Sequence, residues 1–142
     1  MNILNVNTTL DNYTFGKMNE SQLFNKIKEY FDVNDLKMTN NRYADFDYVS
    51  SNNIFEMKSR KVLSNKYSEF MLSYSKIIRF NKIYKDNYKF IIIVVYLDKI
   101  KYIIYDKILF DTFQKRMVYD KCKNQYDNCI FINNKYLNEL LI

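Results

Sequence analysis

One stretch of the chain, YKFIIIVVYL at positions 88–97, limits the folds that this sequence can adopt. β-branched and aromatic residues fill it almost without interruption, which is typical of a strand that is buried on both faces. Such a strand belongs inside a sheet that other elements cover from both sides. The sequence therefore predicts a sheet with helices packed against it.

Periodic patterns elsewhere predict the remaining elements. Helices are predicted at 19–31, 64–85, 110–119 and 133–142, the first two from apolar residues at helical spacing. Strands are predicted from alternation or β-branched runs at 36–39, 42–49, 54–60, 101–106 and 129–132. Asn19 and Ser64 are the predicted N-caps of the first two helices. Glu20 falls in the predicted first turn, where a carboxylate suits the helix dipole.

In chain order these elements are a helix, three strands, a helix and a strand, followed by a β-rich C-terminal extension. The polar residues 50–53 join the second and third strands into a hairpin. No linker, repeat or low-complexity block divides the sequence, so we expect residues 1–142 to form one domain. The predicted fold class is α/β, with a mixed sheet flanked by helices.

The composition excludes several classes of catalytic chemistry. The chain has no His, one Gly and no Pro, which rules out imidazole bases and the glycine-rich loops that cradle phosphates. Catalysis would then use carboxylates, Lys, Tyr or a metal ion held by oxygen ligands. Cys122 and Cys129, without His, are too few for a zinc site, and we expect free thiols in an intracellular, cytoplasmic protein.

Charge and hydropathy bear on the partners. The net charge of +6, from 22 basic and 16 acidic residues, favours a polyanionic partner only weakly, because a Lys-rich surface gives the same excess. No apolar run approaches the roughly 18 residues of a membrane span. The first residues lack the basic and apolar regions of a signal peptide. We therefore expect no membrane association.

The predicted hairpin concentrates charged side chains on one face. Strand side chains alternate between faces, so Glu56, Lys58 and Arg60 share one face of the second hairpin strand. Asp45 and Asp47 share one face of the first. Pairing across the turn therefore brings an aspartate beside the glutamate and the lysine.

Such a cluster has a defined chemical use. Two carboxylates and the backbone carbonyl of Met57 form an oxygen site that suits Mg²⁺ or Mn²⁺, with positions left for water and phosphate. Lys58 would orient an attacking water or stabilise charge on a phosphoryl group. The pattern therefore predicts metal-dependent phosphodiester chemistry that needs no His.

The spacing Asp-x8-Glu-x-Lys on a hairpin between two helices resembles the PD-(D/E)XK nuclease superfamily. FEMKSR (55–60) is similar to the third-strand motif of archaeal Holliday-junction resolvases and of small nucleases predicted in large DNA viruses and phages. The resemblance covers about residues 19–106. It implies a restriction-endonuclease-like αβββαβ core and a Mg²⁺-dependent nuclease that acts on DNA. If the protein is viral, it would act in the cytoplasm of an infected cell. Two cuts in a duplex would suit a homodimer.

The resemblance also implies roles for individual residues. Asp47 and Glu56 would bind the metal ion, and Lys58 would be the catalytic lysine. Glu20 would be the carboxylate that the first helix brings to the site. Lys76 would contact phosphate from the second helix.

Two assignments and one alternative function stay open. Ala44 stands where the motif has Pro, so Asp45 is the alternative acid; we favour Asp47 for its aromatic neighbours and its position nearer the turn. Arg60 and Lys61 either contact phosphate or extend a basic surface. The alternative function is an inactive nuclease fold that binds nucleic acid or a host protein.

Overall fold

The structure is a computed structural model that describes residues 11–39, 44–84 and 86–142. The helices are α1 (Asn12–Tyr30), α2 (Tyr74–Ile83) and α3 (Lys107–Asp111), with a 3₁₀ turn at Asn134–Tyr136. The strands are β1 (Lys37–Met38), β2 (Tyr48–Val49), β3 (Asn53–Ser59), β4 (Glu69–Ser73), β5 (Lys89–Val95), β6 (Ile100–Ile104), β7 (Lys115–Asp120), β8 (Gln125–Asn133) and β9 (Asn138–Glu139). A six-stranded sheet has the order β1-β2-β3-β5-β6-β9, and a three-stranded sheet has the order β4-β8-β7.

The fold is α/β with a mixed sheet, as the sequence predicts. β5 is buried from Phe90 to Val95 on both faces. It pairs in parallel with β3 and antiparallel with β6. Two parallel neighbours need a crossover between them, and the segment that contains β4 and α2 provides it.

Alternate residues of the large sheet point into two cores. Ile27 of α1 and Ile93 of β5 belong to the core on one face. Phe80 of α2, Ile92 of β5 and Ile130 of β8 belong to the core on the opposite face. Each fully buried side chain of this size stabilises the fold by roughly 1.5–3 kcal/mol, so both covering layers are held firmly.

α1 begins earlier than predicted. Asp11 is its N-cap, and its carboxylate accepts a backbone N–H three residues on at 2.8 Å. The predicted cap, Asn19, is therefore inside the helix, and Glu20 is in its middle rather than in its first turn. The buried stripe continues upstream through Phe15, four residues before Asn19, which is why the helix does not start at residue 19.

The edge strand β1 and the hairpin of β2 and β3 lie where they are predicted. β2 is shorter than the predicted strand at 42–49, because residues 44–47 form an irregular bend beside β3. The bend stays attached through the Asp47 N–H, which donates to the Phe55 carbonyl at 3.0 Å. Residues 42, 43 and 85, which fall in predicted elements, lie outside the described residues.

The helix predicted at 64–85 is wrong in its first half. Phe70 and Leu72 are two residues apart and both buried, because they lie on one face of β4, which pairs with β8. Ser64 is not a helix cap: its backbone N–H and its hydroxyl each donate to the Asp98 carboxylate at 2.8 Å. Only the second half of the segment forms a helix.

The helices predicted at 110–119 and 133–142 are also wrong. α3 ends at Asp111, β7 follows, and the last residues form the 3₁₀ turn and β9, which pairs with β6. β8 contains the strand predicted at 129–132 and extends it. β9 gains its stability from a distant partner, β6, which a local pattern does not reveal. β7 instead pairs with its neighbour β8 across a short turn at 121–124.

Cys122 is exposed, Cys129 is buried, and both are free thiols, as expected. Within the part of the chain that the structure describes, no helix has both the length and the apolar character to span a membrane.

Candidate functional site

Asp47 and Glu56 face the same space at the edge of the hairpin. Tyr48 pairs with Phe55 across the two strands, so Asp47 stands opposite Glu56. Asp47 Oδ2 accepts the Met57 N–H at 2.7 Å. The N–H and C=O of a strand residue lie on the same side, so the carbonyl of that methionine also faces Asp47. Two carboxylates and a backbone carbonyl are therefore grouped together.

Two lysines contact one oxygen of Glu56. Lys58 Nζ lies 2.8 Å from Glu56 Oε1, and Lys76 Nζ of α2 lies 3.4 Å from the same atom. The residue is only 2% exposed, and its other oxygen, Oε2, is buried without a hydrogen-bond partner among the described residues. A buried acceptor without a partner costs free energy. This oxygen therefore keeps an unused capacity to accept a hydrogen bond or to bind a cation.

Glu20 approaches the same space from α1. Its side chain is nearly buried, and its Oε2 lies 3.1 Å from Lys17 Nζ. The Tyr48 hydroxyl donates to the Glu20 backbone carbonyl, which attaches α1 to the hairpin. Glu20 is close enough to Asp47 to affect it by charge and by a side-chain hydrogen bond. The helix thus adds a third carboxyl group to the cluster.

The surroundings of Asp47 and Glu56 raise the pKa of both carboxyl groups. Burial raises the pKa of Asp47 to about 6; the neighbouring Glu20 adds to the rise, and a backbone N–H and the Lys58 ammonium oppose it. Burial also raises the pKa of Glu56; the Lys58 ammonium opposes this rise and Asp47 adds to it. Raised carboxyl pKa values from shared burial are typical of functional sites.

Asp45, the alternative acid, is held away from this cluster. Its carboxylate accepts two hydrogen bonds from the Arg79 guanidinium of α2, each 3.1 Å long. Its backbone carbonyl accepts a hydrogen bond from Lys76 Nζ at 2.6 Å. Asp45 therefore fixes the bend to α2, and the aspartate beside Glu56 is Asp47.

Arg60 and Lys61 continue the chain beyond the end of β3. The Arg60 guanidinium lies 5.2 Å from the centre of the Phe70 ring, and Lys61 Nζ lies 5.4 Å from the centre of the Phe15 ring. Both residues line a groove of about 380 Å³ that also contains Glu20 and Lys58. They form a basic rim next to the carboxyl groups.

The sequence reasoning missed Asn19 and Lys17 as parts of the site. Asn19 is fully buried, its Nδ2 donates to Ser59 Oγ at 2.8 Å, and its Oδ1 has no hydrogen-bond partner in the described ranges. This contact fixes α1 to the end of β3. A polar residue four positions after Phe15 on the buried stripe was the available signal for Asn19, and the i,i+3 spacing to Glu20 was the signal for Lys17.

In residues 11–39, 44–84 and 86–142, no group of three or more Asp, Glu or Cys side chains is arranged to hold a metal ion. Any ion at this site would rely on two carboxylates, a backbone carbonyl and ligands from outside the chain. No protein-family model matches the sequence, and a search of curated proteins found no match.

Proposed function

We propose that the protein is a Mg²⁺-dependent nuclease that hydrolyses phosphodiester bonds in DNA. The observation that carries this proposal is the pairing of Asp47 with a buried Glu56. Among the residues that the structure describes, Glu56 Oε2 has no hydrogen-bond partner, while Lys58 lies 2.8 Å from the other oxygen. Acids grouped in this way raise each other's pKa and destabilise the metal-free fold. A bound cation would offset that repulsion.

The arrangement of elements supports the same proposal. α1, the strands β1 to β3, α2 and β5 follow one another with β4 inserted before α2, and β3 and β5 are parallel neighbours. This agrees with the αβββαβ order that the resemblance to the PD-(D/E)XK superfamily implies. We therefore propose that the large sheet with α1 and α2 is a restriction-endonuclease-like core.

The donor atoms fit Mg²⁺ or Mn²⁺. Mg²⁺ prefers oxygen ligands and is usually held by one or two carboxylates, with water and substrate phosphate in its other positions. Asp47, Glu56 and the Met57 carbonyl would hold it here. When bound, the ion would polarise a phosphoryl oxygen and acidify a water molecule.

The remaining residues would bind and orient the substrate. Lys58 is partly exposed and held by Glu56, so its ammonium would orient the attacking water or stabilise negative charge on the phosphoryl group. Lys76 is also partly exposed, and it would contact a phosphate from α2. Asp47, with a pKa of about 6, would be ionised at neutral pH and able to take a proton at lower pH.

A cleavage assay tests the proposal. The purified protein is incubated with supercoiled plasmid and with single-stranded DNA in Mg²⁺, in Mn²⁺ and in EDTA. We expect cleavage only with a divalent ion, and a loss of about a hundredfold or more in Lys58→Ala, because a positioned cationic group is removed. Lys82→Ala is the matched control, since Lys82 is an exposed lysine in the last turn of α2.

Two outcomes would contradict the proposal. Equal cleavage by Lys58→Ala would indicate a contaminating nuclease. Absence of cleavage on every substrate would favour the second candidate, a protein of the same fold that binds nucleic acid without cutting it. The contacts of Lys58 and Lys76 with Glu56, which neutralise this carboxylate without a metal ion, favour that candidate. It predicts binding that needs no divalent ion and weakens steeply with salt.

A further inference from the structure

A second groove, which we call the aromatic groove, adjoins the carboxyl cluster. It has a volume of about 480 Å³ and is lined by residues after β3, by β4 and by parts of β7 and β8. Arg60 and Lys61 line both this groove and the one that contains Glu20 and Lys58. The two grooves therefore share a basic border.

The walls of the aromatic groove combine rings with cationic groups. Tyr67 is 62% exposed at one wall. At the other wall, the Arg116 guanidinium lies 3.6 Å from the centre of the Phe131 ring and is held by Glu69 at 2.8 Å. A guanidinium plane stacked on a ring is itself a surface on which a flat ligand can stack.

The position of the groove fits a ligand that spans both sites. From Lys58 to Arg60 the backbone advances by about 7 Å, at the usual rise of a strand. A base in the aromatic groove would thus belong to a nucleotide close to a phosphate at Lys58. The cationic border matches the negative charge of the phosphates that connect them.

We infer that the aromatic groove binds an unpaired nucleobase of the nucleic-acid substrate, beside the phosphodiester at the carboxyl cluster. This inference rests on the proposed nuclease function and specifies its substrate as a single strand, or as a strand that is unpaired at the cut. A base inside a duplex is stacked and paired, and entering this groove would require it to leave the helix. Stacking on aromatic and arginine side chains accepts all four bases, so the groove selects unpaired structure rather than sequence.

The binding of labelled oligonucleotides in EDTA tests the inference without metal-dependent chemistry. Fluorescence anisotropy compares a single-stranded oligothymidine with a duplex of the same length, for the wild type, Tyr67→Ala and Tyr67→Phe. We expect Tyr67→Ala to weaken single-strand binding about tenfold, since one stacked base is lost, and to leave duplex binding unchanged. Tyr67→Phe keeps the ring and retains the affinity.

Tyr126→Ala is the matched control. Tyr126 is 67% exposed on β8, five residues before Phe131 and so about 17 Å along the strand from it, and its loss leaves binding unchanged. Thermal unfolding of each variant verifies that it is folded.

Three results would overturn the inference: no single-strand binding by the wild type, unchanged binding by Tyr67→Ala, or an equal loss for single strand and duplex. Its failure is distinguishable from failure of the proposed function. Mg²⁺-dependent cleavage of duplex DNA with unchanged single-strand binding by Tyr67→Ala keeps the nuclease and overturns the base site. Tyr67-dependent single-strand binding in EDTA without cleavage in Mg²⁺ keeps the base site and overturns the nuclease.

Discussion

Two aspartates, the exposed Asp98 and the largely buried Asp47, differ in how far hydrogen bonds stabilise their charged carboxylates. Asp98, in the turn between β5 and β6, has both carboxylate oxygens occupied by the N–H and hydroxyl of Ser64, at 2.8 Å each. Burial would raise the pKa of Asp98, but these hydrogen bonds outweigh it and hold the pKa below its usual range. The charged form is the one that this turn stabilises.

Asp47, at the edge of the hairpin, has the opposite environment. Burial and the carboxyl group of Glu20 raise its pKa to about 6, and the hydrogen bond from the Met57 backbone N–H does not compensate. The charged form is disfavoured by the fold that surrounds it. The comparison teaches that Asp98 serves stability, whereas Asp47 is maintained at a cost in stability, which is expected of a residue with a function.

The largest expected effect is on cleavage, and its absence would contradict a functional role for Asp47. Asp47→Asn removes a charged ligand from the proposed metal site, so we expect Mg²⁺-dependent cleavage to fall by about a hundredfold or more. Rates measured with supercoiled plasmid test this. Asp45→Asn is the control, and it should stay within about threefold of the wild type because the Arg79 pair that it weakens is largely exposed. The reverse ranking of the two variants would make Asp45 the functional acid.

A smaller effect of the same substitution concerns stability and its pH dependence. The folded protein keeps a proton on Asp47 up to about pH 6, whereas the unfolded chain releases it near pH 4. The contribution of this group to the free energy of unfolding is therefore highest below pH 4 and is lost as the pH rises through about 6. We expect Asp47→Asn to stabilise the metal-free protein by about 1–2 kcal/mol at pH 7.5 and to have little effect at pH 4.

Urea unfolding in EDTA at both pH values measures this difference. Destabilisation of the protein by Asp47→Asn at pH 7.5 would mean that neighbouring groups offset the cost of burying the Asp47 charge. Asp47 and Asp98 would then both stabilise the fold in their charged forms.

The smallest expected effect concerns Asp98. Asp98→Ala leaves the N–H and hydroxyl of Ser64 without their acceptor, which should cost about 1 kcal/mol. Because the folded pKa of Asp98 is lowered, this contribution is present above the unfolded pKa and is lost as the pH falls through the folded one, opposite to Asp47. Urea unfolding at pH 7.5 measures the loss, with Asp111→Ala, from an exposed pair with Lys107, as control. A large loss of cleavage by the folded Asp98→Ala protein would give Asp98 a role beyond stability.

Local patterns predicted the parts of the fold that depend on local chemistry. The β-branched run of β5 predicts a strand that is buried on both faces. Alternating side chains on either side of a polar turn predict the hairpin. Strand alternation places Glu56 and Lys58 on one face of β3, and the register of the hairpin places Asp47 opposite Glu56.

Distant pairing explains most of the errors. Phe70 and Leu72 also fit a helical spacing with Ile77 and Phe80, and their partners in β8 lie far along the sequence. The helix prediction at 133–142 failed in the same way, since β9 is held by β6. The prediction at 110–119 failed although β7 and its partner β8 are adjacent in the sequence. In the site, the contact of Lys76 with Glu56 and the separation of Asp45 depend on how α2 packs, which no short motif encodes.

The pairing of β4 with β8 sets an order of events during synthesis. The strands β2 and β3 of the hairpin are adjacent in the sequence, and both are synthesised before β4. β4 must wait until Ile132 is available to pair with Phe70. The strands that hold Asp47 and Glu56 are therefore synthesised well before β8, the partner of the strand beside the Tyr67 wall of the aromatic groove. Between the synthesis of β4 and the synthesis of β8, β4 lacks its pairing partner. Unpaired apolar strands of this kind misassemble when folding is slow.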